Sequence, residues 1–364
     1  MDRSQGPQHT GRTPTVYNSL HGKQQSGLEP GGHARARGTL QWPPACVIGV
    51  AFQKPIAGVA LLALTVLLAT AGCGGDSKAS TDSKASTDSK HANSSKVVLL
   101  VMENKNASDV IGSPNAPYFN ALATQGGLAT ASFAIRHPSL PNYLALTSGS
   151  THGIIGDCTT CHVAGPNLAD QLARAGISWK SYMEDLPSPC FSGATAAGTS
   201  GYAKKHNPFA YYDDIAKSAE RCRRIVSLDT LRGDLRAKQL PTFSLIVPNL
   251  CNDSHDCPVA AGDRFLSRVA PQVIRELGPR GFLIVTWDEG SSNIGCCGAA
   301  AGGQIATLLT GPGVRKGARD ATPVDHYGVL RTIEDALRLP RLGGARDAAN
   351  GSLNGLLARP PVLR

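Results

Sequence analysis

The chain has 364 residues, of which 41% are hydrophobic and 17% charged, a composition typical of one large globular domain or two small ones. Its net charge is +9, and residues 74–364 carry +5 of this, with 30 Lys and Arg against 25 Asp and Glu. This excess could favour an anionic substrate or an anionic surface, or it is ordinary solvated charge. Aromatic residues make up 5%, and no Lys/Arg run with interleaved aromatics occurs, which argues against nucleic-acid binding.

The first 95 residues fall into three segments of different composition. Residues 1–55 show no apolar periodicity, and we expect them to be disordered or to result from an upstream start codon. Residues 56–73 hold an apolar run that ends in small residues before Cys73, which is typical of a signal peptide. The end of the run resembles a bacterial lipobox, with Thr70 where Leu, Val or Ile is usual. We therefore expect export and a lipid anchor on Cys73, with cleavage and release as the alternative, followed by a flexible linker at 74–95.

Eight further cysteines form an even set, which in an exported domain indicates as many as four disulfide bonds. They are Cys158, Cys161, Cys190, Cys222, Cys251, Cys257, Cys296 and Cys297. The sequence leaves their pairing open, although Cys251 and Cys257 bracket His255 and could stiffen that loop. A zinc site on Cys158-x-x-Cys161 would need a second pair of similar spacing, and the sequence has none.

Short apolar runs alternate with helix-like stretches along the rest of the chain. Continuous apolar runs predict strands that are buried on both faces, at 97–102, 243–247, 282–287 and 305–309. Helices are predicted at 167–175, 263–277 and 326–337. This alternation predicts an α/β sandwich with a mainly parallel central sheet and helices on both faces. We place this catalytic domain at 96–340 and a C-terminal tail at 341–364.

Polar side chains follow the predicted strands where they end. Glu103-Asn104 follows the first strand, Asn249 the second and Asp288-Glu289 the third. Ligand sites of open α/β sheets lie at the carboxyl ends of strands, and carboxylate with amide oxygens suits a hard divalent cation. Each pair alone could cap a helix or a turn. The two pairs together favour a metal site.

A serine between two prolines is the candidate nucleophile. Pro138 and Pro141 bracket Ser139 and predict a stiff turn there rather than a regular helix. Residues 142–147 are compatible with a helix whose N-terminal amides could face an anion. A serine held there is placed to attack phosphorus, its alkoxide stabilised by a metal and by those amides. A proline-rich loop with a capping serine is the alternative.

Five segments, in this order, resemble the bacterial phosphoesterase family. They are Val-Met-Glu-Asn-Lys at 101–105, His-Pro-Ser-Leu-Pro-Asn-Tyr-Leu-Ala-Leu-Thr-Ser-Gly at 137–149, Tyr-Ala-Lys-Lys-His-Asn-Pro-Phe at 202–209, Val-Pro-Asn-Leu-Cys-Asn-Asp-Ser-His-Asp at 247–256 and Thr-Trp-Asp-Glu-Gly at 286–290. That family contains acid phosphatases and phospholipases C within the alkaline-phosphatase-like superfamily. The chain is similar to its secreted actinobacterial acid phosphatases, which include phosphatidylinositol-3-phosphatases.

The resemblance implies an alkaline-phosphatase-like sandwich and a role for each matching residue. Ser139 would be the nucleophile and would also touch the metal. The other implied metal ligands are Glu103, Asn104, Asp288 and Glu289. His255 would contact the phosphoryl group or protonate the leaving oxygen, with Asp253 or Asp256 orienting its ring.

Four further residues have less specific roles in this assignment. Asn142, His206 and His326 are assigned to substrate binding. His137 is either a general base or a hydrogen-bond partner, since it lies two residues before Ser139.

Two departures from the zinc-type members of the superfamily bear on the metal. Those members often have Asp-His where this chain has Asp288-Glu289, and Asp where Asn249 stands. We therefore expect one divalent ion, which is calcium, magnesium or zinc, with a metal-independent mechanism as the alternative.

The resemblance implies a monomeric hydrolase of phosphate monoesters, small or lipid and including phosphoinositides, that works through a phosphoserine. The alternatives are a phospholipase C-type diesterase and a membrane-tethered binding lipoprotein that has lost the chemistry.

Overall fold

The computed structural model describes residues 95–196 and 201–359. The predicted N-terminal extension, the signal peptide with its lipobox-like end and nearly all of the linker lie outside the described residues, as do residues 360–364 of the tail. Among the residues described, no helix is both long enough and apolar enough to cross a membrane.

A nine-stranded sheet forms the centre of the described domain. The strands are β1 (Val97–Met102), β2 (Gly127–Phe133), β3 (Trp179–Met183), β4 (Ile225–Ser227), β5 (Phe243–Val247), β6 (Phe282–Trp287), β7 (Gln304–Thr310), β8 (Ala318–Asp320) and β9 (Val324–Asp325). Their order is β4-β3-β5-β1-β6-β7-β2-β8, and β9 also pairs with β2. Every pairing is parallel except those of β7, which runs antiparallel to β6 and to β2. The predicted, mainly parallel sheet is confirmed.

Nine α-helices accompany the sheet in the described ranges. They are α1 (Ala107–Val110), α2 (Pro117–Gln125), α3 (Ser139–Ser148), α4 (Leu168–Arg174), α5 (Asp213–Ala216), α6 (Ala219–Cys222), α7 (Asp229–Arg236), α8 (Val259–Ile274) and α9 (His326–Leu337). Helix α9 has the predicted bounds, and α4 begins after Asn167, whose side chain accepts from the Asp170 amide. Helix α8 begins four residues before its predicted start, directly after Pro258.

Helices cover both faces of the sheet, as the apolar runs predicted. Alternate residues of β1 point to opposite faces, so Leu99 and Leu100 belong to two different apolar clusters. Helices α3, α4 and α9 contribute to the cluster that contains Leu99, whereas α2 and α8 contribute to the other. Both layers are therefore held by burial of apolar surface.

The segment assigned as a C-terminal tail packs onto the domain over residues 341–359. Short 3₁₀ turns cover Gly343–Arg346, Ala348–Asn350 and Asn354–Leu356. Leu342 and Leu353 lie in the same apolar cluster as α9, so this segment contributes to the core.

Four disulfide bonds join the eight cysteines of the described domain. The pairs are Cys158–Cys161, Cys190–Cys222, Cys251–Cys257 and Cys296–Cys297. The predicted number is confirmed, and the bond between Cys251 and Cys257 closes the loop that carries His255.

Candidate active site

The carboxyl ends of three neighbouring strands bring the predicted acids together. Strand β1 lies between β5 and β6, so Glu103 after β1 meets Asp288 after β6 and Asp253 in the loop after β5. The Glu103 amide donates to the Asp253 carbonyl at 2.8 Å, and the Asp288 amide donates to the Met102 carbonyl at 2.8 Å. All three carboxyl groups belong to residues with no exposed surface. Four acids, counting the buried Glu289, converge at this edge.

Ser139 lies at the first residue of α3 and faces these acids. Its Oγ is 3.2 Å from Glu103 Oε2 and 3.5 Å from Glu289 Oε1, and the residue is 1% exposed. The prediction of a non-helical turn at Ser139 is wrong. Pro141 is tolerated in the first turn because the amide that it lacks would have had no acceptor within the helix.

The first turn of α3 is already engaged by other groups. The Leu140 amide donates to Asp157 Oδ1 at 2.9 Å, and Pro141 has no amide hydrogen. Asn142 is fully buried, and its side-chain oxygen accepts from the Ile135 and Arg136 amides at 3.0 and 3.1 Å. Asn142 therefore anchors the segment that leads to Ser139, and it does not face the pocket.

Tyr143 is a site residue that the sequence reasoning missed. It lies four residues after Ser139, on the same face of α3, and its hydroxyl donates to Glu103 Oε1 at 2.5 Å. Burial raises the pKa of the Tyr143 hydroxyl well above its usual value, and the Glu103 carboxylate adds to this, so the hydroxyl keeps its proton. The four-residue spacing from Ser139 was the signal that could have found it.

Two histidines lie on the other side of Glu103. His206 Nε2 is 3.2 Å from Glu103 Oε1, and His206 Nδ1 is 3.4 Å from Asp253 Oδ2. The His255 ring centre is 5.6 Å from that of His206. Burial, together with the charges of Lys205 and His255, lowers the pKa of His206 well below its usual value, which keeps the ring neutral.

His255 has partners on both of its ring nitrogens. Nδ1 lies 2.6 Å from Asp256 Oδ1, so Asp256 orients the ring, while the Asp253 carboxylate accepts from the His255 amide. Nε2 lies 3.2 Å from the Nζ of Lys205, which is also 3.1 Å from Asp157 Oδ2. Burial alone would lower the pKa of Lys205, but the nearby Asp157 carboxylate outweighs it and raises that pKa. Lys205 therefore supplies a permanent positive charge, and the sequence reasoning missed it.

The other predicted residues form hydrogen bonds with side-chain or backbone atoms of Asp288 and Glu289. His137 Nδ1 is 2.5 Å from Glu289 Oε2, and its Nε2 is 3.0 Å from the Ser292 carbonyl. His326 is fully buried, with Nε2 2.6 Å from the Asp288 carbonyl. Asn104 adopts a left-handed conformation, with φ of 55°, and its amide donates to Asp288 Oδ1 at 3.0 Å. This geometry favours the hydrogen-bond role for His137 over a general base.

Burial raises the pKa values of the clustered acids, and neighbouring carboxylates raise several of them further. Burial raises the pKa of Glu103 well above its usual value, and the neighbouring Asp288 and Asp253 raise it further. Burial raises the pKa of Asp253 to about 8, and burial with the Glu289 charge raises that of Asp288 to about 7. A bound cation would relieve this repulsion, because buried carboxylates are stable only when they are paired or coordinate a metal.

The same pocket meets the chemical requirements of a divalent ion. Asp288 Oδ2 is buried without a hydrogen-bond partner within the described residues, and the contacts of Asp253 Oδ2 and His206 Nε2 given above lack hydrogen-bond geometry. Ligand atoms of Glu103, His206 and His255 lie within 4.8 Å of one another, which makes them a possible buried metal site. The donors present therefore fit a metal ion.

The order of these residues along the chain corresponds to a known family. The model of the phosphoesterase family matches residues 103–340, a range that begins at Glu103 and extends beyond His326. The chain belongs to the phosphoesterase family. This phosphoesterase is thus a hydrolase that acts on phosphoric ester bonds, as the motifs predicted.

Two relatives are named as phosphatases. The phosphatidylinositol-3-phosphatase of Mycobacterium tuberculosis is 36% identical over 258 residues, which are 69% of this chain and 80% of that protein. An acid phosphatase of Aspergillus fumigatus is 32% identical over 252 residues, 66% of this chain and 54% of that protein. The phosphoesterase therefore spans about half the length of that fungal relative. A solved Vibrio parahaemolyticus protein of the alkaline phosphatase superfamily is 14% identical, with a TM-score of 0.47 over 70% of each chain.

Proposed function

We propose that this phosphoesterase is an exported acid phosphatase that hydrolyses phosphate monoesters with Ser139 as its nucleophile. The observation that carries the proposal is the position of Ser139 Oγ, 3.2 Å from Glu103 Oε2 and 3.5 Å from Glu289 Oε1. Oγ attacks phosphorus, the ester P–O bond breaks, and the alcohol leaves with a proton. Water then cleaves the phosphoserine, which releases phosphate and restores the hydroxyl.

The surrounding residues accept the serine proton, act on the leaving group and bind the phosphoryl oxygens. The Ser139 hydroxyl donates to Glu103 Oε2, which is therefore its nearest proton acceptor. If it does not bind the metal, His255, which is oriented by Asp256 and partly open to solvent, contacts the phosphoryl group or protonates the leaving oxygen. Lys205 is beside His255 and binds the phosphoryl oxygens by its charge.

We assign one divalent ion to this pocket, with Glu103 as the shared ligand of two possible sets. The oxygen set adds Ser139, Asn104, Asp288 and Glu289 and suits calcium or magnesium, whereas the nitrogen set adds His206 and His255 and suits zinc. When bound, the ion would stabilise the serine alkoxide and the charge on the phosphoryl group. Metal content separates the sets: Asp288→Asn should lower it if the oxygen set binds, and His206→Gln if the nitrogen set binds.

The substrate class and the location follow from different observations. The mycobacterial relative is named a phosphatidylinositol-3-phosphatase and the fungal one an acid phosphatase, which supports phosphate monoesters, including phosphoinositides, as the substrate class. Four disulfide bonds support an oxidising, extracellular location, and the lipobox-like end at Cys73 supports a membrane anchor.

The nucleophile is tested by replacing Ser139 and, as a matched control, a second serine of the same helix. Ser139→Ala should lower phosphate release from an aryl phosphate by on the order of 1000-fold or more, because the covalent route is lost. Ser148 is also buried in α3, but its hydroxyl donates to the Leu144 carbonyl, so Ser148→Ala should keep activity within a few-fold. Comparable rates in the two variants would refute the assignment.

A second comparison tests the reaction type. Wild type should hydrolyse aryl phosphate monoesters faster than phosphatidylcholine. The reverse order would indicate a phospholipase C-type diesterase, and inertness toward both with tight ligand binding would indicate a binding lipoprotein.

A further inference from the structure

A broad cavity lies at the amino ends of the central strands, opposite the carboxyl ends that carry the candidate active site. These two ends are called the arginine edge and the catalytic edge. The volume of the cavity is about 1680 Å³, and its walls include Val97 at the start of β1, Phe282 at the start of β6 and the end of α9. Strand β1 has six residues, so at roughly 3.3 Å per residue this edge is about 20 Å from Glu103. The cavity therefore belongs to a different surface from the catalytic pocket.

Arginine is the main charged residue of this cavity. The lining contains Arg280, Arg338, Arg341, Arg346 and Arg359. Asp335, the acidic residue in the lining, is held by Arg341, with Nε 2.8 Å from Oδ1 and Nη2 3.0 Å from Oδ2. The other four arginines are exposed, and none of them forms an ion pair within the described part of the chain. Four positive charges thus surround the cavity without a carboxylate partner in the described residues.

The floor of the cavity is apolar and its size exceeds that of a small-molecule pocket. Phe282, Leu339 and Leu357 line it together with prolines. Small-molecule sites are usually about 300–1,000 Å³. A cationic rim over an apolar floor matches an anionic phospholipid, whose phosphate would meet arginine and whose glycerol and acyl region would meet the floor.

The chain enters the domain at the rim of this cavity. Ser95 is part of the lining, and its Oγ accepts from the Arg280 amide at 3.1 Å. The linker at 74–95 therefore reaches the domain on the arginine side, and it follows Cys73, the proposed lipid anchor. The position of the linker supports docking only if Cys73 carries the proposed lipid anchor. The charge of the arginines favours an anionic surface with or without that anchor.

We propose that this arginine cavity docks the domain onto an anionic phospholipid surface. The docked domain then presents the catalytic edge, which lies at the other end of the strands, away from that surface. Its substrates would accordingly reach it from the surrounding medium or from a facing membrane, and phosphoinositides of the docked membrane itself would be out of reach.

The test uses the full chain with Cys73→Ser, so that no lipid is attached, and vesicles of two compositions. One is neutral phosphatidylcholine, and the other contains about one-third phosphatidylglycerol. Any binding by the apolar run at 56–72 is common to both, so the preference for anionic vesicles isolates the charge effect. The variant carries Arg280→Gln, Arg338→Gln and Arg359→Gln, and its control carries Arg232→Gln, Arg236→Gln and Arg264→Gln, which remove the same charge from exposed positions of α7 and α8.

We expect wild type and control to prefer the anionic vesicles, and the cavity variant to lose that preference. Each cation near an anionic membrane contributes roughly a factor of five in partition, so three should account for on the order of 100-fold. Equal binding of wild type to both vesicles would overturn the proposal, and so would an equal loss in cavity variant and control. Binding of inorganic phosphate in place of vesicles would also overturn it. Aryl phosphate turnover, measured in parallel, reports on folding and on the proposed activity separately from docking.

Discussion

The two edges of the central sheet carry opposite charges in opposite environments. At the carboxyl edge, Glu103, Asp253 and Asp288 are fully buried, and their pKa values are raised by burial first and by neighbouring carboxylates second. At the other edge, arginines such as Arg280 and Arg338 are exposed. Exposed charges cost little, whereas buried carboxylates without a cation destabilise the fold by several kcal/mol. The buried acids therefore call for a functional reason, whereas the exposed arginines need none, and their proposed docking role rests on their position around the cavity.

Apart from the loss of the nucleophile, the largest expected effect comes from neutralising Glu103 at the catalytic edge. Glu103→Gln should lower turnover of an aryl phosphate by about 100-fold or more, because it removes both a proposed metal ligand and the acceptor of Ser139. The same change should stabilise the metal-free protein against urea, because it removes one of several repelling buried charges. Glu220→Gln is the control, since that side chain is 84% exposed. A Glu103→Gln protein that is both active and less stable would contradict this comparison of the edges.

The pH dependence of stability should reveal the cost of ionising these buried acids. Unfolded Asp has a pKa of about 3.9, whereas the folded values are about 7 for Asp288 and about 8 for Asp253. Between about pH 4 and pH 8 the folded state thus holds more protons than the unfolded state, so the free energy of unfolding falls as pH rises. The Tm of metal-free protein should drop by roughly 5–10 °C across this range, and a divalent ion should raise it most near pH 8. A Tm that rises throughout this range would show that the pKa values of these acids are not raised in the folded protein.

A smaller effect is expected at His326, which contacts the backbone carbonyl of Asp288. His326→Ala removes the contact with the Asp288 carbonyl and should cost about 1–3 kcal/mol of stability. Turnover should fall with little change in KM, because Asp288 would be less well positioned. His326→Gln can still donate to that carbonyl and should recover much of both losses. A raised KM with unchanged kcat in the His326→Ala variant would instead indicate that His326 binds the substrate.

The smallest expected effect lies at the arginine edge. The triple Arg280→Gln, Arg338→Gln, Arg359→Gln variant should turn over a soluble aryl phosphate within about two-fold of wild type, because its charges are about 20 Å from Glu103 and screened by salt. Steady-state rates at two ionic strengths measure this. A large change in kcat would show that the two edges are coupled, and the comparison would then fail.

Some of this arrangement was predictable because continuous apolar runs specify buried strands. Strands β1 and β6 follow the predicted runs, so the sequence placed Glu103 and Asp288 at strand ends correctly. Strand β7 was found too, but an apolar run carries no information about direction, and β7 is antiparallel. Strand β2, with Gly127 and Ala, Thr and Ser residues, lacks such a run and was missed.

Side-chain contacts across the fold were harder to predict. Pro141 suggested a turn because proline disrupts helix interiors, yet in the first turn it disrupts nothing. The contact of Lys205 with Asp157 joins two loops that only the folded sheet brings together. Asn142 belongs to the recognised motif, but only the structure shows that it anchors the backbone before Ser139.

The most direct measurement is to trap the covalent intermediate. Wild type is mixed with an aryl phosphate, quenched in acid within the first turnovers, digested and mapped by mass spectrometry, with Ser148→Ala treated in the same way. The account predicts phosphoserine at Ser139 in both proteins and none in Ser139→Ala. Phosphate on another residue, or rapid turnover by Ser139→Ala, would contradict it.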